Sequence, residues 1–185
     1  IFGLAFVIER IYHLLKGMAT DLSFAESISD TILRDGIETA KANCEGFVGP
    51  VANLCAGALS RADRGVSEAE KSLDQAGSLE MSSLEKNMTW ISLSIAIAPM
   101  FGFLGTVWGM IEAFNDIKMA NDISPAVVAG GISVALLTTA FGLVVALILQ
   151  LLQNTVMYII DNQVITLQKS TSLVINSITD HFNNK

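Results

Sequence analysis

The sequence predicts an all-α membrane protein, and three observations lead to that prediction. Hydrophobic residues make up 51% of the chain and charged residues only 16%, against roughly a quarter charged in ordinary soluble domains. The apolar residues are concentrated in blocks, and the two longest blocks are uncharged over the length that a helix needs to cross a bilayer. Elsewhere apolar residues recur at helical spacing, without the period of two that indicates a strand.

The chain opens with an apolar segment, residues 1–8, which stops at Glu9-Arg10. Eight residues of helix extend only about 12 Å, well short of a bilayer. The sequence does not begin with Met, so we interpret residues 1–15 as the end of a first transmembrane helix whose N-terminal part is missing.

Residues 16–86 are polar, carry most of the acidic side chains, and are interpreted as a helical cytoplasmic domain. Helices are expected from residue 22, over residues 37–47 and 51–64, and from residue 67, with residues 79–87 leading into the next span as one continuous rod. Basic residues close to the span ends (Arg10, Lys16 and Lys86) favour the cytoplasmic side by the positive-inside rule.

The two long apolar blocks are interpreted as a second transmembrane helix at residues 87–114 and a third at 126–153. Between them, residues 115–125 are rich in Asn, Asp and Pro, which indicates a loop and, by the charge rule, a periplasmic link. Residues 154–185 keep helical spacing with polar residues in between, and we expect a cytoplasmic helical tail.

Each long span carries a stripe of small residues at alternating spacings of three and four, which places them on one helix face. The first stripe consists of Pro99, Gly102, Thr106, Gly109 and Ala113; the second consists of Gly131, Ala135, Thr139, Gly142, Ala146 and Gln150, with Thr138 beside it. Such a stripe suits close helix packing, or lines a narrow polar passage. A threonine can satisfy its own hydroxyl on the preceding turn, so the stripes alone leave both interpretations open.

Several function classes are disfavoured by what the sequence lacks. Neither span contains Asp, Glu, Lys, Arg or His in its interior, and Glu112 lies near the end of the second span. Proton transfer through hydrocarbon normally needs an ionisable group there. If this chain takes part in proton transfer, the titrating carboxylate must therefore come from another chain. No catalytic motif is present, so we expect no enzyme and no catalytic residue. The net charge of −7 argues against a nucleic-acid partner.

Cys44 and Cys55 are the only cysteines. On an unbroken helix they would lie about 16 Å apart, too far for a disulfide or a shared metal. A break at Gly49-Pro50 would leave metal binding open, but without a nearby His two small buried thiols are the simpler interpretation. We therefore expect no metal and no cofactor.

Two stretches of the spans resemble the MotA/TolQ/ExbB proton-channel family, and most closely its ExbB branch. They are PMFGFLGTVWGM at residues 99–110 and ISVALLTTAFGL at residues 132–143. With the order span, loop, span, link and span, the resemblance covers nearly the whole chain.

The resemblance implies a homopentamer of three-span protomers in the bacterial inner membrane. It implies an ExbD-like single-span partner with a membrane Asp, and a TonB-like transducer that delivers work to outer-membrane transport. By motif position, Thr106 and Thr139 match the family's pore-lining threonines, with Thr138 beside them. The residues expected to pack helices or face the partner are Pro99, Gly102, Gly105, Gly109, Ala135, Gly142 and Ala146.

One departure from the family is Val134, which stands where ExbB proteins commonly carry a Glu. The ion carried and the load driven therefore stay open. A TolQ-like or gliding-motor subunit is the alternative within the family. A structural membrane scaffold that conducts nothing is the alternative outside it.

Overall fold

The computed structural model describes residues 1–17, 22–44, 46–120 and 124–183, and within these ranges the chain is helical and has no strand. In chain order the helices are α1 (Phe2–Gly17), α2 (Leu22–Asp35), α3 (Ile37–Cys44), α4 (Pro50–Leu59), α5 (Val66–Leu84), α6 (Met88–Ala120) and α7 (Pro125–Asn183), with a 3₁₀ turn at Ala62–Arg64 before α5. The all-α prediction is therefore confirmed.

Glycines with positive φ separate three of the helices. Gly36 (φ 89°) lies between α2 and α3, and Gly65 (φ 106°) precedes α5; only glycine adopts such conformations without steric cost. The predicted start at Ile37 is confirmed, but α3 ends at Cys44 and not at residue 47. The helix predicted over 51–64 is shorter than expected, because α4 ends at Leu59 and a 3₁₀ turn follows.

Two expectations about helix boundaries are wrong. The rod expected over residues 79–87 is interrupted, because α5 ends at Leu84 and Asn87 adopts a left-handed conformation (φ 65°). The loop expected over residues 115–125 is also much shorter, because α6 remains helical to Ala120. Residues 121–123 of that link lie outside the described residues.

The chain divides into two compact units, each described here by itself. The first unit comprises Ile1–Glu9 and Asn87–Val156, and the second comprises Arg10–Lys86 and Met157–Lys185. In the first unit, Phe2 and Phe6 contact the ring of Trp90 at centroid distances of 6.3 Å. Most large apolar side chains of α6 and α7 in this unit are exposed, as a lipid-facing surface requires.

Two stretches of the chain, Val66–Ala120 and Val128–Asn183, are long and apolar enough to contain a membrane-crossing helix. With 16 residues, α1 is shorter than the roughly 20 that a span needs. A third span therefore stays a prediction, as does the pentamer.

The second unit packs α2–α5 and the C-terminal part of α7 around an apolar core. Along α7 buried residues recur every seven positions in two series. One series is Ile160, Leu167 and Val174, and the second includes Ser170 and Ser177. A repeat of this kind keeps one helix face against its neighbours over many turns. The Ser177 hydroxyl is hydrogen-bonded to that of Ser29 on α2.

Candidate functional site

The small-residue stripes pack α6 against α7 within the same chain. A methyl group added at Gly109 would lie 2.7 Å from the carbonyl oxygen of Gly131, and one added at Gly142 would lie 2.8 Å from that of Ala98. Real Cβ atoms essentially never come so close to another atom. The two backbones are therefore in direct contact, an approach that only small residues permit.

Thr139 lies at this contact and links the two helices. Its Oγ1 donates to the carbonyl oxygen of Gly102 at 3.1 Å and lies 3.4 Å from that of Ala135. The side chain is half-buried. One hydroxyl of the predicted pathway thus forms an interhelical hydrogen bond.

The other two predicted threonines satisfy their hydroxyls on their own helices. Thr106 Oγ1 donates to the carbonyl of Phe103 at 2.6 Å, and Thr138 Oγ1 lies 3.0 and 2.9 Å from those of Val134 and Ala135. Thr138 also packs against Gly105, the neighbour of Thr106 in sequence.

The three threonines therefore lie at one level of the helix pair. Thr139 contacts Gly102, while Thr138 contacts Gly105 one turn further along α6. Each hydroxyl hydrogen is directed to a main-chain carbonyl, so each hydroxyl oxygen retains lone pairs that can accept a hydrogen bond.

The remaining predicted residues lie on the same two helices. Gly102, Gly109 and Ala135 are buried, while Pro99, Gly105, Gly142 and Ala146 are half-buried. Gly102, Gly105, Gly109, Ala135 and Gly142 contact the other helix of the pair. Contact of any of them with a partner helix stays a prediction.

A shallow apolar groove of about 280 Å³ opens on one side of the helix pair. Its lining consists of Phe101, Leu104, Gly105, Trp108, Val134 and Thr138. Val134, which replaces the acidic residue common in ExbB proteins, thus lies beside Thr138 at the groove. Trp108 donates from its indole Nε1 to a carboxylate oxygen of Glu112 at 3.1 Å, a pairing that the four-residue spacing alone could have suggested.

Arg10, which the sequence analysis used only as a basic residue near a span end, is buried in the second unit. Its Nη2 donates to the carbonyl oxygens of Ser83 at 3.2 Å and of Leu84 at 2.5 Å, at the C-terminal end of α5. The positive guanidinium there complements the negative end of the helix dipole. Arg10 thus fixes the end of α5 to α1.

The two cysteines lie on different helices, Cys44 at the end of α3 and Cys55 within α4, and these two helices pack against each other. Both are buried. The interaction with the Cys44 side chain raises the pKa of the Cys55 thiol, and burial raises it further. Among the residues that the structure describes, no group of three or more potential ligands could hold a metal ion.

Residues 25–169 match the model of the MotA/TolQ/ExbB proton channel family. This chain belongs to the MotA/TolQ/ExbB proton channel family. The matched region contains both small-residue stripes and all three threonines, and the resemblance deduced from the two motifs is confirmed. Membership places the chain in a family of proton channels rather than in a known enzyme family.

Curated relatives come from more than one branch of this family. The chain is 30% identical to the putative biopolymer transport protein ExbB homolog of Methanothermobacter thermautotrophicus, over 89% of this chain and 58% of the relative. It is 40% identical to the biopolymer transport protein ExbB of Xanthomonas campestris pv. campestris, over 42% of this chain and 31% of the relative. It is 34% identical to the Tol-Pal system protein TolQ of Haemophilus influenzae, over 42% of this chain and 34% of the relative. The chain thus spans between about a third and three fifths of the length of these relatives.

Proposed function

We propose that this chain is a proton-channel and stator subunit of a bacterial inner-membrane motor that converts proton motive force into mechanical work for TonB-dependent outer-membrane transport. In this proposal the chain crosses the membrane three times, and five copies surround the transmembrane helices of an ExbD-like partner. A TonB-like transducer passes the work on. The observation that carries the proposal is the family match over residues 25–169, which includes both spans.

The ionisable group of the pathway would come from the partner. Residues 88–111 and 124–160 contain no acidic, basic or His side chain, and an uncharged helix pair offers no site that can bind and release a proton within hydrocarbon. An aspartic acid on the enclosed helix would supply that site. Val134, in place of the common Glu, leaves the partner's carboxyl group as the titrating one.

The threonines would bind that carboxyl group in its protonated form. Because the hydroxyl hydrogens of Thr106, Thr138 and Thr139 are directed to main-chain carbonyls, their oxygens are available chiefly as acceptors. A neutral carboxylic acid can donate to such an oxygen, whereas a carboxylate cannot. The site would therefore favour the protonated Asp within the membrane and an ordered water where the Asp is absent.

The glycines would keep this hydroxyl cluster in place. Backbone contact at Gly102, Gly109 and Gly142 leaves little freedom for α6 to slide on α7, because packed backbones cannot interpenetrate. We propose that the helix pair is a rigid wall of the channel and that the partner helix is the moving part. The half-buried Pro99 and Ala146 would face that partner.

The proposal is tested by proton uptake into vesicles that contain the chain with its single-span partner. Thr106→Val and Thr139→Val should each abolish uptake while leaving the complex assembled, because valine keeps the volume and removes the hydroxyl. Thr155→Val is the matched control: its hydroxyl also bonds to its own helix, at the carbonyl of Leu151, but it lies beyond the stripe. Uptake at the wild-type rate in both pathway variants would contradict the proposed pathway.

A TolQ-like or gliding-motor stator is the second candidate, with the same channel and a different load; the match to a TolQ protein favours it. Complementation of strains that lack either the Tol or the TonB energiser would distinguish the two loads. A scaffold that conducts nothing is the third candidate. Absence of uptake by the wild-type complex, together with a monomeric or dimeric native mass, would favour the scaffold.

A further inference from the structure

Four polar side chains lie together at one end of the helix pair, inside the uncharged runs of α6 and α7. Gln153 Nε2 on α7 donates to Ser92 Oγ on α6 at 2.7 Å. Along α7 itself, Gln150 Nε2 donates to Asn154 Oδ1 at 3.1 Å. Ser92, Gln150 and Asn154 are exposed, and Gln153 is half-buried. Together these four residues form the amide cluster.

The amide cluster continues the helix face that carries the threonines. Gln153 follows Thr139 by 14 residues, and both side chains donate to α6, Thr139 to Gly102 and Gln153 to Ser92. Gln150 follows Thr139 by 11 residues, which is three helical turns. The threonine level and the amide cluster therefore share one side of α7.

The chemistry of the cluster indicates what covers this side of the helix pair. Gln150 lies 11 residues, about 16 Å of helix, before Asp161, the nearest charged residue along α7. Next to it in sequence, Leu147 and Leu151 are apolar and exposed, as contact with lipid requires. A side-chain amide offers four hydrogen-bonding positions, and the bond to Asn154 uses one of those of Gln150. Hydrocarbon would leave the other positions without partners, a heavy penalty, so the polar side faces water or protein.

We propose that the amide cluster is the water-filled cytoplasmic mouth of the proton pathway, where Ser92, Gln150, Gln153 and Asn154 order the water molecules that carry protons from the threonine level to the cytoplasm. This inference rests on the proposed channel function and on the topology proposed with it. Amides and hydroxyls both donate and accept hydrogen bonds, so they can hold water in either orientation without becoming charged themselves.

The transfer needs no group beyond water and the partner's carboxyl. At the threonine level the partner's carboxylic acid releases its proton to the first water and is left as a carboxylate. Each water accepts one proton and passes another on, and the last one leaves as hydronium into the cytoplasm. The bond from Gln153 to Ser92 joins α6 to α7 at this mouth, so Gln153 is a positioning residue.

The first test detects water at the cluster without requiring conduction. Gln150→Cys and Leu151→Cys, each assembled with the single-span partner in inside-out vesicles, are exposed to a membrane-impermeant methanethiosulfonate. This reagent reacts with the thiolate, which forms in water and not in lipid, so Gln150→Cys should react at least about tenfold faster than Leu151→Cys. The wild-type complex is the blank, because Cys44 and Cys55 are buried.

Equal labelling of the two cysteine variants would overturn the inference. Protection of both would show that lipid or protein covers the cluster, and reaction of both would show that water reaches this depth on every side of α7. Labelling of Gln150→Cys alone, in a complex that takes up no protons, would keep the water-filled mouth and contradict the proposed channel function. Protection of Gln150→Cys in a complex that takes up protons would overturn only the present inference.

The second test measures proton uptake in the assembled complex. Gln150→Leu should slow uptake at least about tenfold, because its apolar side chain cannot hold water at a depth where hydrocarbon surrounds the other faces. Gln150→Asn keeps an amide and should retain most of the wild-type rate. Asn162→Leu, at an exposed amide of α7 beyond the uncharged run, is the control and should leave uptake unchanged. Wild-type uptake by Gln150→Leu would also overturn the inference.

Discussion

A close backbone approach between α6 and α7 can be tested by comparing two neighbouring glycines of α7, Gly130 and Gly131. A methyl group at Gly131 would lie 2.6 Å from the carbonyl oxygen of Gly109 and 2.8 Å from the backbone nitrogen of Ala113. A methyl group at Gly130 would meet nothing within 4 Å. Gly131→Ala should therefore destabilise the helix pair, and Gly130→Ala should not.

The size of the effect follows from these distances. Ordinary van der Waals contact begins at 3.4 Å, so the 2.6 Å contact falls short by about 0.8 Å and the helices must separate to relieve it. Overpacking of this kind costs about 1–3 kcal/mol. Replacing glycine by alanine inside a helix also gains up to about 1 kcal/mol of helix propensity. Because both variants share that gain, the difference between them isolates the steric cost.

The measurement is reversible unfolding in mixed micelles with rising sodium dodecyl sulfate, followed by far-ultraviolet circular dichroism. Gly130→Ala should match the wild type or exceed it slightly in free energy of unfolding. The free energy of unfolding of Gly131→Ala should be about 1–3 kcal/mol lower than that of Gly130→Ala. Equal stability of the two variants would refute the inference that α6 and α7 meet through their backbones at this point.

Two further predictions concern the second unit. Arg10→Met should lower the free energy of unfolding by about 1.5–3 kcal/mol, because it removes charged hydrogen bonds to buried carbonyls such as that of Leu84. The exposed Arg34→Met is the control in the same denaturation assay. If Arg10→Met loses no more stability than Arg34→Met, the proposed role of Arg10 is contradicted. The hydrogen bond from Lys71 at 2.8 Å holds the pKa of Glu68 below its ordinary value of 4.5, so this stabilisation is complete above about pH 4.5 and disappears as the pH falls through the lowered pKa. Lys71→Met should raise the pKa of Glu68 in a titration followed by nuclear magnetic resonance, and an unchanged pKa would show that another group is responsible.

Much of the fold can be deduced from the sequence because it depends on local properties. The two uncharged blocks determine which helices can cross a membrane, since hydrocarbon excludes charge over a known thickness. Helical spacing alone predicts the start of α3 at Ile37 in the polar segment. The same spacing assigns Thr106 and Thr139 to the small-residue stripes.

The errors at helix ends arise where distant contacts override local signals. Asn87 adopts a left-handed conformation while its amide donates to Glu9 at 3.2 Å, and no local signal indicates that partner. The polar residues after Phe114 were expected to form a loop, yet α6 continues to Ala120. Ala113, just before them, packs against Gly131 of α7, and such tertiary packing can support helix where propensity alone is weak.

The sequence alone determined an α-helical membrane protein of this family, with two small-residue stripes and no ionisable group in the interior of either span. Only the tertiary structure decided that glycines of one stripe, such as Gly109, contact the other stripe in the same chain. It also decided that Cys44 and Cys55 lie on two packed helices and that Arg10 is buried. The physical reason is that the spacing of residues along a helix determines which of them share a face. Which other element packs against that face depends on contacts between residues far apart in the chain.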